Sequence, residues 1–352
     1  MKQIWWKALA VVLLIYVIIA GMTRPLMPGI DRVSPEFAST GESKMILVNT
    51  YNTNYSPSEP VQAWLRIDSN YVLAAKEVKV IHNTQLEVFF DIPTYLPSEK
   101  ANGMYTLLLN DAVNEAFVLP EAIKIKQAEV NILAAKQNWK EERLPALNRK
   151  DAFAFPFRKI LWETIRNLFF HVPLWFGMVF IFLFSAIYSG RFLQKGDALD
   201  DLGALSLTKV GVLYGLLGCL TGAIWAKHTW GTWWTTAEVK LNMSAIAMLI
   251  YLAYFVLRSS FEDEEKRARI SAVYNIFAFV AMVPLLFVVP RMAEFSMHPG
   301  NGGNPGFGGD DLDNNMRYVF YPAIIGWTLL GFWIATLLFR IEKLWYKTMD
   351  AE

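Results

Sequence analysis

The chain contains four histidines, and three of them sit at an edge of a stretch that reads as a membrane span. They are His171 in Phe-Phe-His-Val-Pro, His228 in Ala-Lys-His-Thr-Trp and His298 in Ser-Met-His-Pro-Gly. His228 also opens the run His-Thr-Trp-Gly-Thr-Trp-Trp, residues 228–234. A neutral imidazole is an axial ligand for iron, and indoles offer a flat apolar surface to a macrocycle. The pattern predicts haem held at one face of a membrane. Each residue type also has a plainer use. Tryptophans anchor spans at the headgroup level, and a histidine at a span end is ordinarily a hydrogen-bonded interfacial residue. What favours the chemical use is density: Trp225, Trp230, Trp233 and Trp234 fall within ten residues, beside a histidine. His228 is the weaker ligand candidate, because capping its span accounts for it. His82, in Val-Ile-His-Asn-Thr, lies in a β-like stretch and is expected on its surface.

Composition demands several spans to position these groups. Of 352 residues 54% are hydrophobic and 14% aromatic, with mean hydropathy +0.27. That is too apolar for an ordinary soluble enzyme. A net charge of +1 gives no global attraction for nucleic acid. The one cysteine, Cys219, lies inside an apolar run, so no intrachain disulfide and no Cys-x-x-Cys-His haem attachment exist. A span needs about 20 apolar residues, which selects roughly 4–22, 172–190, 209–226, 241–257, 271–290 and 318–339. The first has a basic start (Lys2, Lys7), as a signal peptide would. Its apolar run continues through Ile18-Ile19-Ala20, and Thr23-Arg24-Pro25 is a poor cleavage context, so a retained anchor is expected. Arg191, Lys195 and Lys209, then Arg258, Lys266, Arg267 and Arg269, then Arg340, Lys343 and Lys347 put their loops and both termini inside. The tryptophan cluster and His298 then face outward.

Between the first two spans the character changes. Residues 44–52, 61–67, 71–92, 103–110 and 116–126 are β-rich, separated by turn signals such as Asn-Thr-Asn and Leu-Pro-Ser-Glu. They predict a small immunoglobulin-like β-sandwich outside the membrane. Helix-like residues 128–138 follow, then a linker with Pro145 and Pro156. Residues 157–170 are amphipathic, with Ile160, Leu161, Ile165, Leu168 and Phe169 opposite Arg158, Lys159, Glu163, Arg166 and Asn167. They predict an interfacial helix that delivers His171 to the second span. The expected fold is a mainly α six-span transmembrane bundle with an inserted extracytoplasmic β-sandwich-like domain. Its parts are an anchor (1–23), the β-rich domain (24–150), a linker with the interfacial helix (151–171), a five-span bundle (172–345) with a tryptophan-rich loop (225–241), and an inner tail (346–352).

Residues 222–234, Gly-Ala-Ile-Trp-Ala-Lys-His-Thr-Trp-Gly-Thr-Trp-Trp, resemble the CcmC/CcsA family of cytochrome c biogenesis haem-handling membrane proteins, closest to its CcmC branch. That family has a tryptophan-rich outer segment, the WWD domain, of the form Trp-Gly-x-Trp-Trp-x-Trp-Asp, with a histidine in each flanking loop. Phe-His-Val-Pro-Leu-Trp-Phe-Gly-Met, 170–178, is similar to the first histidine segment, and Met-His-Pro-Gly, 297–300, stands where the second would be. The resemblance covers about 157–345 in order. It implies that His171 and His298 are the axial pair of a non-covalent, transient haem b, over a platform of Trp225, Trp230, Trp233 and Trp234. Lys227 and Lys240 are expected to face propionates. After Trp234 the chain reads Thr-Thr-Ala-Glu-Val-Lys, where the family pattern has a third tryptophan and an aspartate. Glu238 and Lys240 stand in for that acidic–basic pair. The resemblance further implies haem delivery to a periplasmic CcmE-like chaperone, association with ABC-type membrane and ATPase subunits, and residence in the inner membrane. The β-rich insertion is foreign to the compact family pattern.

Two other functions fit the same residues. One is a cytochrome c haem lyase of the CcsA type, although that relative has more spans. The other is a receptor or scaffold acting through the β-domain. No P-loop, Ser-His-Asp or zinc pattern occurs, which favours delivery over catalysis. Residues 262–269 read as a solvated inner loop, or as a docking site for an ATPase. Asp310, Asp311 and Asp313 lack EF-hand spacing and read as a solvated loop.

Overall fold

The computed structural model describes residues 4–139, 144, 146–148, 153–293, 296–298 and 312–349. Two compact units are present: Pro25–Trp162, and the residues up to Arg24 together with those from Glu163 onward.

The first unit is built from short strands. They are β1 (Gly29–Ser34), β2 (Phe37–Ser39), β3 (Ser43–Tyr51), β4 (Gln62–Arg66), β5 (Val72–Ala74), β6 (Glu77–His82), β7 (Gln85–Asp91), β8 (Asn102–Asp111) and β9 (Glu115–Lys126). One sheet has the order β1-β3-β7-β6, the other β2-β9-β8-β4-β5. Pairing is antiparallel except between β2 and β9. Ile46, Val48, Leu86 and Val88 of the first sheet meet Leu65, Leu107, Leu109, Ile123 and Ile125 of the second in one buried core. That is the sandwich the turn spacing predicts. The expected 71–92 run divides into β5, β6 and β7, while β1 and β2 lie outside the strands read from the sequence. His82 is exposed at the end of β6. A short helix, α2 (Ile132–Asn138), is capped by the Asn131 side chain accepting from Ala134 N–H at 3.0 Å.

Among the described residues, the second unit holds six helices long and apolar enough to cross a membrane. They are α1 (Trp5–Thr23), α3 (Leu168–Lys195), α4 (Ala198–Trp230), α5 (Val239–Ser259), α6 (Glu264–Phe287) and α7 (Asn314–Met349). The protein is a multi-pass membrane protein with an inserted β domain. Helix α1 packs on α7, where Tyr16 donates to the Tyr318 carbonyl at 3.0 Å. The expected interfacial α-helix over 157–170 is replaced by a turn and a 3-10 helix, Trp162–Asn167. Trp162 has φ +49, which an α-helix does not tolerate. His171 consequently lies in the first turn of α3 itself.

Small residues let the helices approach. A Cβ on Gly218 of α4 would lie 2.8 Å from the Trp175 indole of α3. Buried polar side chains tie the same helices together. Asn275 Nδ2 donates to Ser185 Oγ (2.7 Å) and Ser189 Oγ (2.9 Å), and Ser185 Oγ donates to the Ala204 carbonyl (2.7 Å). All three side chains are buried. Asn275→Leu should lower bundle stability in detergent by about 1 kcal/mol; a thermal-unfolding midpoint equal to wild type would show that this cluster contributes nothing.

At the other end of α4, Asp200 pairs with Arg191 at 3.0 Å. Asp201 receives both Arg258 nitrogens, at 2.8 and 2.6 Å. The charged run 262–269 forms the start of α6: Asp263 caps it, and Arg267 and Arg269 pair with Glu264 and Glu265. Asp313 likewise caps α7 through Met316 N–H at 2.8 Å, while Asp310, Asp311 and the Gly/Asn-rich stretch 300–309 lie outside the described residues.

Candidate functional site

His171, from the first turn of α3, and His298, from the segment before α7, approach with ring centroids 6.5 Å apart and planes 39° from parallel. Two imidazole–metal bonds of about 2 Å, with about 1 Å from each ring centre to its nitrogen, would give about 6 Å. The separation therefore accommodates one metal atom between the rings.

Helix α4 orients His171. Its Nδ1 lies 3.0 Å from Thr221 Oγ1. Thr221 already donates its only hydroxyl proton to the carbonyls of Leu217 (2.9 Å) and Gly218 (3.1 Å). With that proton on a carbonyl, Thr221 Oγ1 accepts from His171 Nδ1, the tautomer that leaves Nε2 with its lone pair. A Cβ on Gly222 would stand 2.8 Å from His171 Cε1, so the ring occupies the place of a side chain there. The edge of Trp175 closes on the same ring, with centroids 6.3 Å apart.

Tryptophans flank His298. Trp225 and Trp230, both on α4, pack edge to face at 5.2 Å, with His298 at 6.0 and 6.4 Å from them. Trp225 is fixed by donating from Nε1 to Thr164 Oγ1 at 3.2 Å. Trp233 and Trp234 lie past the helix end, 57% and 38% exposed, in the connection to α5. The chain can turn there because Gly231 takes φ +76. His228 and Lys227 are exposed on the last turn of α4, where Lys227 donates to the Gly231 carbonyl at 2.9 Å. Lys240 Nζ lies 3.4 Å from His298 Nδ1. An ammonium only donates, so Nδ1 accepts, and the ring's single proton is on Nε2. This contact competes with metal binding through Nε2. Glu238 is buried at the start of α5 and faces the His298 segment.

The site thus gathers His171, His298, Trp225 and Trp230, with Lys240 and Glu238 beside His298. Thr221, Gly222 and Trp175 join them without having been singled out in the sequence. Their signal is faint: Gly218, Thr221, Gly222 and Trp225 share one face of α4 at helical spacing.

The sequence profile of the heme exporter protein C family matches residues 156–350, more than half of the chain. This protein belongs to the heme exporter protein C family. The family segment contains every candidate site residue and excludes the strands. Individual relatives agree with it. Heme exporter protein C of Paracoccus denitrificans is 28% identical over 184 residues, 50% of this chain and 71% of that protein. The Bradyrhizobium diazoefficiens protein of the same name is 29% identical over 168 residues, 47% and 62% of the two chains. That of Haemophilus influenzae is 27% identical over 187 residues, 52% and 72%. About half of this heme exporter protein C family member, including its β domain, therefore lies outside the shared region.

Proposed function

We propose that this protein handles haem in cytochrome c maturation. It holds haem b non-covalently between His171 and His298 and passes it to a periplasmic haem chaperone of the CcmE type. The observation that carries this reading is the 6.5 Å approach of two imidazoles from distant segments. Family membership supports it, since the relatives' name is heme exporter protein C. The cargo supplies the iron; the protein supplies two imidazoles and a flanking indole wall, Trp225 and Trp230. Lys227 and Lys240 are the cations for the propionates, and Lys240 leaves His298 when it turns to a carboxylate. His228, Trp233 and Trp234 are exposed at the edge of the region, which leaves the cargo a way out, and buried Glu238 supports the His298 segment from behind.

The arginine and lysine bias of the loops supports an inner-membrane orientation with both termini in the cytoplasm and the site and β domain outside. ABC-type membrane and ATPase subunits are the expected partners. The charged run 262–269 at the start of α6 is the docking site proposed for the ATPase subunit.

The test is haem absorbance of detergent-purified protein, followed by mixing with a haem chaperone. A Soret band that transfers to the chaperone is expected. A protein that takes up no haem would contradict the reading, and covalent attachment to an apocytochrome would make it a ligating enzyme instead. Within the site, Trp225→Ala should weaken haem retention about 2- to 10-fold, the worth of one aromatic contact. The pair Trp233→Ala and Trp234→Ala should act in the same direction, more weakly because both rings are exposed. Equal retention by all variants in a haem titration would remove the indoles from the site.

A further inference from the structure

We infer that Glu238 is a clasp that positions His298, acting on the protein chain and not on the cargo; this rests on the haem reading above. The side chain is only 1% exposed. Its Oε1 accepts from Ser296 Oγ at 2.7 Å and its Oε2 from Met297 N–H at 2.9 Å. Oε1 also accepts from Lys240 N–H at 3.4 Å, so the same carboxylate caps α5. Ser296 Oγ in turn accepts from His298 N–H at 3.1 Å. A hydrogen-bonded path thus runs from the start of α5 through one carboxylate to the backbone of the proposed ligand.

The energetics favour this arrangement for a charged group. A buried carboxylate is costly unless its oxygens are satisfied. Here both oxygens have donors, and the α5 N-terminus adds a favourable dipole. Charge-assisted bonds of this kind are stronger than neutral ones. Without the carboxylate, two donors on the 296–297 segment, Ser296 Oγ and Met297 N–H, lose their partner. The consequence is a His298 whose backbone samples many positions, and a ring that meets the metal only part of the time. Glu238 is a positioning residue in this account, since its oxygens are spent on the chain.

The test uses the full-length protein in detergent, as Glu238→Ala, Glu238→Gln and Ser296→Ala, with His298→Ala as control. Hydrogen exchange is measured first, without haem. Residues 296–298 should exchange at least about tenfold faster in Glu238→Ala, and less so in Glu238→Gln, which keeps one acceptor oxygen. Ser296→Ala removes the hydroxyl's two bonds, to Glu238 and from His298 N–H, while Glu238 still caps α5, and should show a smaller acceleration even where Glu238→Ala inserts poorly. With ferric haem b added, Glu238→Ala should lose low-spin character and recover it with free imidazole, as His298→Ala does. Glu238→Gln should fall between Glu238→Ala and wild type. Unchanged exchange at 296–298 in Glu238→Ala and Ser296→Ala would overturn the clasp. Faster exchange with a low-spin spectrum persisting in His298→Ala would instead overturn haem ligation by His298.

Discussion

Purified His171→Ala and His298→Ala proteins are expected to lose most of their haem. Partners that merely orient a metal-binding histidine are worth about 10- to 100-fold in metal affinity, so removing the imidazole itself should cost at least about 100-fold. The two variants should fold. The Thr221 hydroxyl is already satisfied by the backbone carbonyls of Leu217 and Gly218 when His171 is removed. His298 lies outside the helices, in the segment before α7. Free imidazole should restore part of the absorbance in each variant by entering the vacated place. Retention of full haem absorbance by both would remove the axial assignment, however well the rest of the bundle is described.

The second large effect concerns stability. Arg258→Ala should destabilise the bundle by about 3–5 kcal/mol, because it leaves a buried carboxylate with no cation. Asp201 and Arg258 side chains are each 11% exposed, and the pair is bidentate. The pair joins the first turns of α4 to the last turn of α5, away from the histidines. Haem affinity of the folded fraction should therefore be unchanged while the thermal midpoint in detergent drops. Replacing both partners by apolar residues of similar volume should cost far less than either single change. A single variant as stable as wild type would show that the ion pair is not what holds these helix ends.

What the sequence makes legible follows from which interactions are local. The spans are legible because hydrocarbon burial needs an unbroken apolar run. Their true ends are not, since α4 and α7 continue well beyond the apolar part, to 33 and 36 residues. Strands β3, β7 and β8 show as β-rich runs between turn signals, whereas β1 and β2 lie among Pro25, Pro28 and Pro35. The amphipathic pattern of 157–170 suggests a helix, but one residue at φ +49 breaks it, and periodicity carries no sign of that. The same division holds at the candidate site. Histidine and tryptophan stand out by rarity and clustering. The partners of those side chains do not: Thr221 is one threonine among many, and Glu238 meets Met297 across 59 residues. Tertiary contacts of that kind leave no local trace. The resemblance to a haem-handling family, carried by three short motifs, is confirmed by the family match over 156–350. The order of the tryptophans could not reveal that Trp225 and Trp230 lie beside His298 while Trp233 and Trp234 face outward.

One iron held between His171 and His298 has two imidazole ligands, and its spin state reports them. Electron paramagnetic resonance of the ferric haem complex reads that state, on wild type beside the His171→Ala and His298→Ala proteins. Wild type should give a low-spin bis-imidazole signal that turns high-spin in each variant. A high-spin wild type, or a low-spin signal that survives both substitutions, would show that the two imidazoles do not share the iron.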